Sequence, residues 1–245
     1  MEGKKNKLIL LLLFISIRLA ASDYRSEVYY AYVNNRMERW KSVIDRMESD
    51  VNRSSEQTLE LVNYQYGYIG YCIGREKEDE AKKYFALANR NIEILEKRAY
   101  KLSLVNAYKS AFYGFRISFS KLSAPVNGPR SLDHAKKAIE LDNQNYLAWV
   151  QYGNAEFYMP AAFGGSKKLA LEYFQKAKVI LEKNPSETKN DWNYLSLLTL
   201  IAQAHAAIGD YNAAKTAYED ILRKEPGFTY VRDELYPQLI KNLKK

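Results

Sequence analysis

The chain has few of the residues that build disulfides, metal sites and tight turns. Its 245 residues include one cysteine, two histidines, 11 glycines and six prolines. A single thiol cannot form an intramolecular disulfide, and Cys72, between Tyr71 and Ile73, is predicted to be a buried structural thiol. So few glycines and prolines leave an all-β fold short of turn residues, whereas the abundance of Ala, Leu, Lys and Glu favours helix.

Sequence motifs of the common enzyme classes are also missing. There is no Cys-x-x-Cys, His-Glu-x-x-His, Gly-x-Ser-x-Gly or Gly-x-Gly-x-x-Gly. His134 lies in a lysine-rich segment without a spaced partner, and His205 lies at an inward helical position. We therefore predict that both histidines are structural, that the protein is not an enzyme, and that it has no catalytic residue, metal site or cofactor.

The positive charge does not indicate a nucleic-acid partner. The formal net charge is +8, but residues 1–22 contribute +3 of it through Lys4, Lys5, Lys7 and Arg18 against Glu2. The remaining charges are scattered along predicted helix faces, without a basic stripe interleaved with aromatic residues. This pattern is typical of a solvated surface.

The N-terminal segment has the order of a secretory signal peptide. Three lysines precede the mostly apolar run 8–17, and small residues follow at Ala20, Ala21 and Ser22. We predict that residues 1–22 are cleaved, which leaves no integral membrane span and places the protein in the periplasm or cell envelope of a bacterium. The alternative is an uncleaved anchor, although so short a run spans only about half of the hydrocarbon core.

Helical periodicity runs through the rest of the chain. The clearest unit is 192–226, where Gly209 and Asp210 separate two helices and Pro226 ends the second. One spacing, i, i+4, i+7, recurs five times. Its members are Trp40, Ile44 and Met47; Ala81, Phe85 and Ala88; Ser131, Ala135 and Ala138; Ala170, Phe174 and Ala177; and Ala214, Tyr218 and Ile221.

The last hairpin resembles a tetratricopeptide repeat. The resemblance rests on Gly209-Asp210-Tyr211, Ala214, Tyr218 and Pro226, with Ala202 as the small residue of the first helix. It implies an all-α fold, a superhelix of stacked antiparallel helical hairpins with degenerate repeats. We expect one repeat domain over 23–245, with hairpins at 23–52, 56–98, 101–142, 146–184 and 192–226 and a capping helix at 228–245.

Two segments that combine proline with glycine are predicted to lengthen the turns inside adjacent hairpins. These are Ser123 to Pro129 and Met159 to Lys167. Both could be tolerated surface loops, or they could form a lip over a binding groove. We expect the first to be a surface loop and the second to be a lip, with Phe163, Gly164 and Gly165 as candidate partner-binding residues.

The resemblance also implies a function. Arrays of this family bind partners on a concave wall, and the family's inward positions correspond here to Tyr64, Tyr71, Tyr108, Phe115, Asn154, Phe157, Tyr158 and Gln203. The first hypothesis is an exported, non-enzymatic adaptor or scaffold that binds a protein or peptide segment in this groove.

A second hypothesis comes from another stretch. The segment from Phe163 to Ala177 looks like the corresponding stretch of tetratricopeptide components associated with periplasmic solute transporters, whose helices enclose a ligand pocket or pore. This likeness implies a small-molecule-binding accessory protein of the cell envelope.

Overall fold

The protein is all-α. A computed structural model describes residues 24–243, so the predicted signal peptide lies outside the described residues. No strand occurs between residues 24 and 243, and none of the helices there is long and apolar enough to cross a membrane. The α-helices are α1 (24–33), α2 (Met37–Ser49), α3 (Ser55–Gly74), α4 (Glu78–Lys97), α5 (Leu102–Phe119), α6 (Ala124–Leu141), α7 (Tyr146–Tyr158), α8 (Lys167–Leu181), α9 (Pro185–Thr188), α10 (Trp192–Ala207), α11 (Tyr211–Lys224) and α12 (Tyr236–Leu243).

Short helical turns occupy some of the connections. Lys121–Ser123 and Ala161–Phe163 form 3-10 turns, and Tyr230–Leu235 forms a π-helical turn that leads into α12. Consecutive long helices pack as pairs, namely α3 with α4, α5 with α6, α7 with α8, and α10 with α11, and neighbouring pairs stack on one another. The all-α prediction is confirmed, whereas the superhelical arrangement stays a prediction.

Local sequence signals fix several helix ends. Ser54 and Gln57 form a reciprocal capping box at the start of α3. Between α10 and α11, Gly209 adopts a left-handed backbone (φ 84°) and the Asp210 carboxylate accepts the backbone N–H of Ala213 at 3.1 Å. The predicted turn and cap are therefore confirmed.

The core follows the recurring triplets. All members of the five triplets are buried except Phe85, which is half-buried and packs against the core. Cys72 is a buried free thiol, as predicted, and burial raises its pKa to about 11. The small members allow the paired helices to approach closely, while the aromatic members fill the space beside them.

The expectation of a surface loop at Ser123 to Pro129 is wrong, because these residues begin a helix. Helix α6 starts at Ala124 and contains both prolines of the segment. Pro125 lies in the first turn, where a backbone N–H has no helical partner in any case. Pro129 removes one bond to the Pro125 carbonyl, and exposure of Pro125 leaves that carbonyl to water.

The first and last helix pairs meet. Arg25 of α1 donates to the carbonyls of Glu187 (2.8 Å) and Lys189 (3.2 Å), and Tyr29 donates to the Glu225 carboxylate at 2.7 Å. Buried Phe228 packs on Tyr32 with ring centroids 4.9 Å apart. These contacts hold α1 against the segment before α10 and against the segment after α11.

Candidate binding site

An aromatic and amide cluster joins side chains of the inner helices α3, α5, α7 and α10. Its centre is Tyr66 of α3, whose ring stacks on Phe115 of α5 with centroids 5.7 Å apart and planes inclined by 22°. Tyr66 also packs against Trp192 of α10 at 6.1 Å. Three inner helices thus contribute to one aromatic surface.

Helix α7 supplies the polar part of the cluster. The Gln151 amide donates to the Tyr66 hydroxyl at 3.0 Å, and the Asn154 amide nitrogen donates to the Gln151 oxygen at 3.2 Å. The Asn154 Oδ1 atom is buried and has no hydrogen-bond partner within residues 24–243. A buried carbonyl oxygen without a donor is unfavourable, so this atom is available to a ligand donor.

Tyr158 lies one helical turn beyond Asn154 and is 69% exposed. Burial nevertheless raises the pKa of its phenol above the usual range, and the phenol of Tyr230 adds to this effect. The exposed phenol of Tyr158 therefore lies near the phenol of Tyr230. Burial likewise raises the pKa of Tyr66, so both phenols are neutral near pH 7.

Gly70 widens the opening beside Tyr66. It is an exposed glycine inside α3, one turn after Tyr66, and only the Phe115 ring edge comes within 4.0 Å of where its Cβ would lie. Glycine within a helix costs about 1 kcal/mol relative to alanine, and packing does not require it at this position. We define the central recess by Tyr66, Gly70, Phe115, Gln151, Asn154, Tyr158 and Tyr230.

Arg75 lies at the edge of the recess beside Tyr230. Its guanidinium lies 6.0 Å from the Tyr230 ring centroid and pairs with the Glu234 carboxylate. Residues 24–243 contain no cluster of three or more His, Cys, Asp and Glu side chains that could hold a metal ion. The recess therefore offers aromatic faces, neutral hydroxyls and amides, with one cation at its edge.

The predicted groove residues occupy different surroundings. Phe115, Asn154 and Tyr158 belong to the central recess. Tyr64 and Tyr108 are buried, and their hydroxyls donate to Glu60 (2.5 Å) and Asn63 (3.1 Å), so they present little surface to a ligand.

Two other predicted aromatics pack on neighbouring aromatic rings. Tyr71 packs on Tyr68 and lies under the Lys77 ammonium at 5.4 Å. Phe157 packs on Phe174 of α8, and Lys167 lies 4.3 Å above its ring. Gln203 is half-buried in α10, and the candidate loop residue Phe163 is 78% exposed on the turn between α7 and α8.

Sequence reasoning missed Tyr66, Gln151 and Tyr230. Gln151 could have been found, because it lies three residues before Asn154 and so on the same helical face. Tyr66 lies in a helix with tyrosines at 64, 66, 68 and 71, and only the neighbouring helices determine which of them faces inward. Tyr230 follows α11 in a segment that folds back over α3, and no local pattern indicates that path.

No protein-family model and no curated protein sequence matches this chain. Among solved structures, it is similar to the HusA haemophore from Porphyromonas gingivalis, with a TM-score of 0.58 and 16% sequence identity. The alignment covers 76% of this chain and 93% of that protein. At this identity the likeness shows a shared helical fold, and the tetratricopeptide assignment stays a prediction.

Proposed function

We propose that the protein is an exported, non-enzymatic binding protein of the bacterial cell envelope. Its central recess holds a flat, mostly apolar conjugated molecule of the porphyrin class, such as haem. The observation that supports this most is the stacked pair Tyr66 and Phe115 beside the open position at Gly70. The fold similarity to a haemophore favours the same ligand class.

The shape of the recess favours a small molecule over a protein segment. An extended peptide needs a continuous groove, and here α1 packs against the region of residues 187–191 while Tyr230 lies across from Tyr158. Tyr64 and Tyr108, which would line such a groove, are buried. Of the two hypotheses from the sequence, the small-molecule-binding protein therefore agrees better with the contacts of the inner helices.

The recess residues match a porphyrin in chemical terms. Offset stacking on aromatic rings contributes about 0.5–1.5 kcal/mol per pair beyond the burial of area. The hydroxyls of Tyr158 and Tyr230 can donate to carboxylate groups at the ligand edge, and the Arg75 guanidinium, which pairs with Glu234, lies beside Tyr230.

Iron ligation contributes little in this proposal. The two histidines lie outside the recess, His134 on α6 and His205 on α10. A neutral phenol is a weak iron ligand, and burial raises the pKa of Tyr66 and Tyr158. Metal-free protoporphyrin IX is therefore expected to bind within about tenfold of haem, since both present the same ring face.

Titration of the purified protein with haem and with protoporphyrin IX tests the proposal, with tryptophan quenching and ligand absorbance as readouts. Tyr158→Ala is expected to lower the affinity for both ligands about tenfold, because it removes one aromatic ring and one hydroxyl from the recess. Tyr211→Ala, an exposed tyrosine of α11 outside the recess, is the matched control and should bind as wild type does.

Two results would overturn the proposal. One is equal affinity of wild type and Tyr158→Ala for both porphyrins. The other is an absence of porphyrin binding together with a protein partner that co-purifies with wild type and is lost from Tyr158→Ala. The second result would favour the adaptor hypothesis, in which these residues bind a protein segment.

A further inference from the structure

Two adjacent turns expose large apolar side chains. Leu122, between α5 and α6, is 94% exposed, and Phe163, between α7 and α8, is 78% exposed. Val126 in the first turns of α6 is also exposed. Exposed apolar residues that lie together on neighbouring turns indicate a candidate interaction site.

The helix packing brings these turns to the same end of the molecule. Both α5 and α6 contact α7, and each turn joins the two helices of one pair, so the turns lie side by side. The second turn has a fixed shape, because Gly164 adopts a left-handed backbone (φ 95°) and Gly165 lies against the Met159 carbonyl with no room for a Cβ. Phe163 is thus held outward.

Basic residues predominate around the exposed apolar groups, and the adjacent Glu156 carboxylate accepts the backbone N–H of Ser166. Residues 116–130 and 157–168 contain five Lys and Arg and no Asp or Glu. In the part of the chain that the structure covers, none of the five lies within ion-pair distance of a carboxylate. We define the basic tip by Leu122, Val126 and Phe163 with Arg116, Lys121, Arg130, Lys167 and Lys168.

The opposite end of the helix pairs differs. There Lys101 pairs with Glu56 at 3.1 Å, and Arg53 donates to the carbonyls of Met47 and Glu48. Val51 is exposed at that end too, but it follows Asp50 and has Glu48 nearby in sequence. At that end, acidic residues therefore lie close to the exposed Val51 side chain and pair with neighbouring cations.

We propose that the basic tip attaches the protein to the surface of an anionic lipid membrane. The side chains of Leu122 and Phe163 lie on turns at the same end of two neighbouring helix pairs. They can therefore enter the headgroup region of a bilayer together. The surrounding cations complement anionic headgroups, each contributing affinity that salt screens. The same cations would need matching carboxylates on a protein partner, whereas an anionic bilayer supplies negative charge over its whole surface.

Vesicle co-sedimentation tests the proposal with the protein as purified from cells that export it. The two probes are vesicles of phosphatidylglycerol mixed with phosphatidylcholine and vesicles of phosphatidylcholine alone. Wild type is expected to prefer the mixed vesicles, and salt should weaken binding. Residues 1–23 are the same in all variants, so any contribution from them is common to each measurement.

Two variants separate the apolar from the electrostatic contribution. Leu122→Ser with Phe163→Ser should weaken binding to the mixed vesicles about tenfold or more. Lys121→Gln with Arg130→Gln and Lys168→Gln should weaken it about a hundredfold, or about fivefold per charge. Val51→Ser, a 90% exposed residue at the opposite end, is the matched control and should bind as wild type does.

The serine variant should melt at the wild-type temperature because its two side chains are exposed. Binding lost without a change in melting supports the proposal. Equal binding of wild type and both variants, or equal binding of wild type to the two vesicle types, overturns it. Early melting of the serine variant also overturns it, because Leu122 and Phe163 would then belong to the core.

Discussion

Trp40 of α2 and Trp192 of α10 lie in edge-to-face contact, with ring centroids 5.0 Å apart and planes inclined by 65°. These residues come from opposite ends of the chain, so their contact joins the first helix pairs to the last. Gly67 of α3 lies directly beneath both indoles. The central recess depends on this junction, because Trp192 also packs against Tyr66.

Gly67→Ala is expected to destabilise the protein. A Cβ there would lie 2.6 Å from Trp40 Cζ2 and 2.7 Å from Trp192 Cη2, so the two indoles must shift. Overpacking of this kind costs about 1–3 kcal/mol, which exceeds the gain of about 1 kcal/mol in helix propensity. Gly114→Ala in α5, which has open space around its Cβ, should instead stabilise by up to about 1 kcal/mol. Urea unfolding measures both, and a stabilised Gly67→Ala protein would show that the tryptophans do not pack as described.

Arg25→Ala is expected to weaken the contact between the first and last helix pairs. Arg25 donates to the Glu187 and Lys189 carbonyls and lies 3.6 Å from the Asp191 carboxylate. Its partial exposure reduces the expected loss to about 1 kcal/mol. Because burial raises the pKa of Asp191 and Arg25 opposes that shift, the pKa should rise further in the variant. Arg223→Ala, whose partner Asp220 is on the same helix, is the control and should change the unfolding free energy by less than about 0.5 kcal/mol. Equal effects of the two changes would contradict the role of Arg25.

The pH dependence of stability should include a contribution from His134. Its Nδ1 atom donates to the side-chain amide oxygen Oδ1 of Asn106 at 2.9 Å, and its ring stacks on the ring of Tyr113. Burial lowers the imidazole pKa below 6.5, and Lys109 and Lys137 lower it further. Above pH 6.5 the imidazole is neutral in both the folded and the unfolded chain, so its burial does not reduce the free energy of unfolding. As the pH falls from 6.5 to the folded-state pKa, the unfolded chain gains the proton first, so stability is lost over that window.

Nuclear magnetic resonance titration of the imidazole measures this shift directly. His134→Gln should remove the corresponding part of the stability loss while leaving the parts that come from carboxylates. A folded-state pKa of His134 at or above 6.5 would be incompatible with the observed surroundings of the ring.

The sequence predicts the helical core better than the recess. The triplets, such as Ala170, Phe174 and Ala177, are buried because helical periodicity alone determines which residues share a face. The prediction of a turn over 123–129 is wrong because its proline and glycine do not prevent a helix: Pro125 lies in the first turn, where its missing N–H costs little, and Pro129 gives up one bond inside the helix.

The recess required information that local patterns do not carry. Tyr64 and Tyr66 differ by two positions in α3, and one is buried against Glu60 while the other faces Phe115. This difference depends on where α5 and α7 pack. Tyr230 reaches the recess only because Phe228 is buried against Tyr32 of the first helix, a contact between the two ends of the chain.

The most direct test of the account is to fill the central recess without disturbing the fold. Gly70→Leu places a side chain on an exposed helical position beside Tyr66 and Phe115, so it should preserve stability or raise it. Gly114→Leu makes the same change in α5, where open space also surrounds the glycine and no proline follows. We predict that Gly70→Leu weakens the binding of protoporphyrin IX at least about tenfold, by occupying the space where the ring stacks, while the Gly114→Leu protein binds as wild type does. Wild-type affinity in a stably folded Gly70→Leu protein would contradict the assignment of the recess as the binding site.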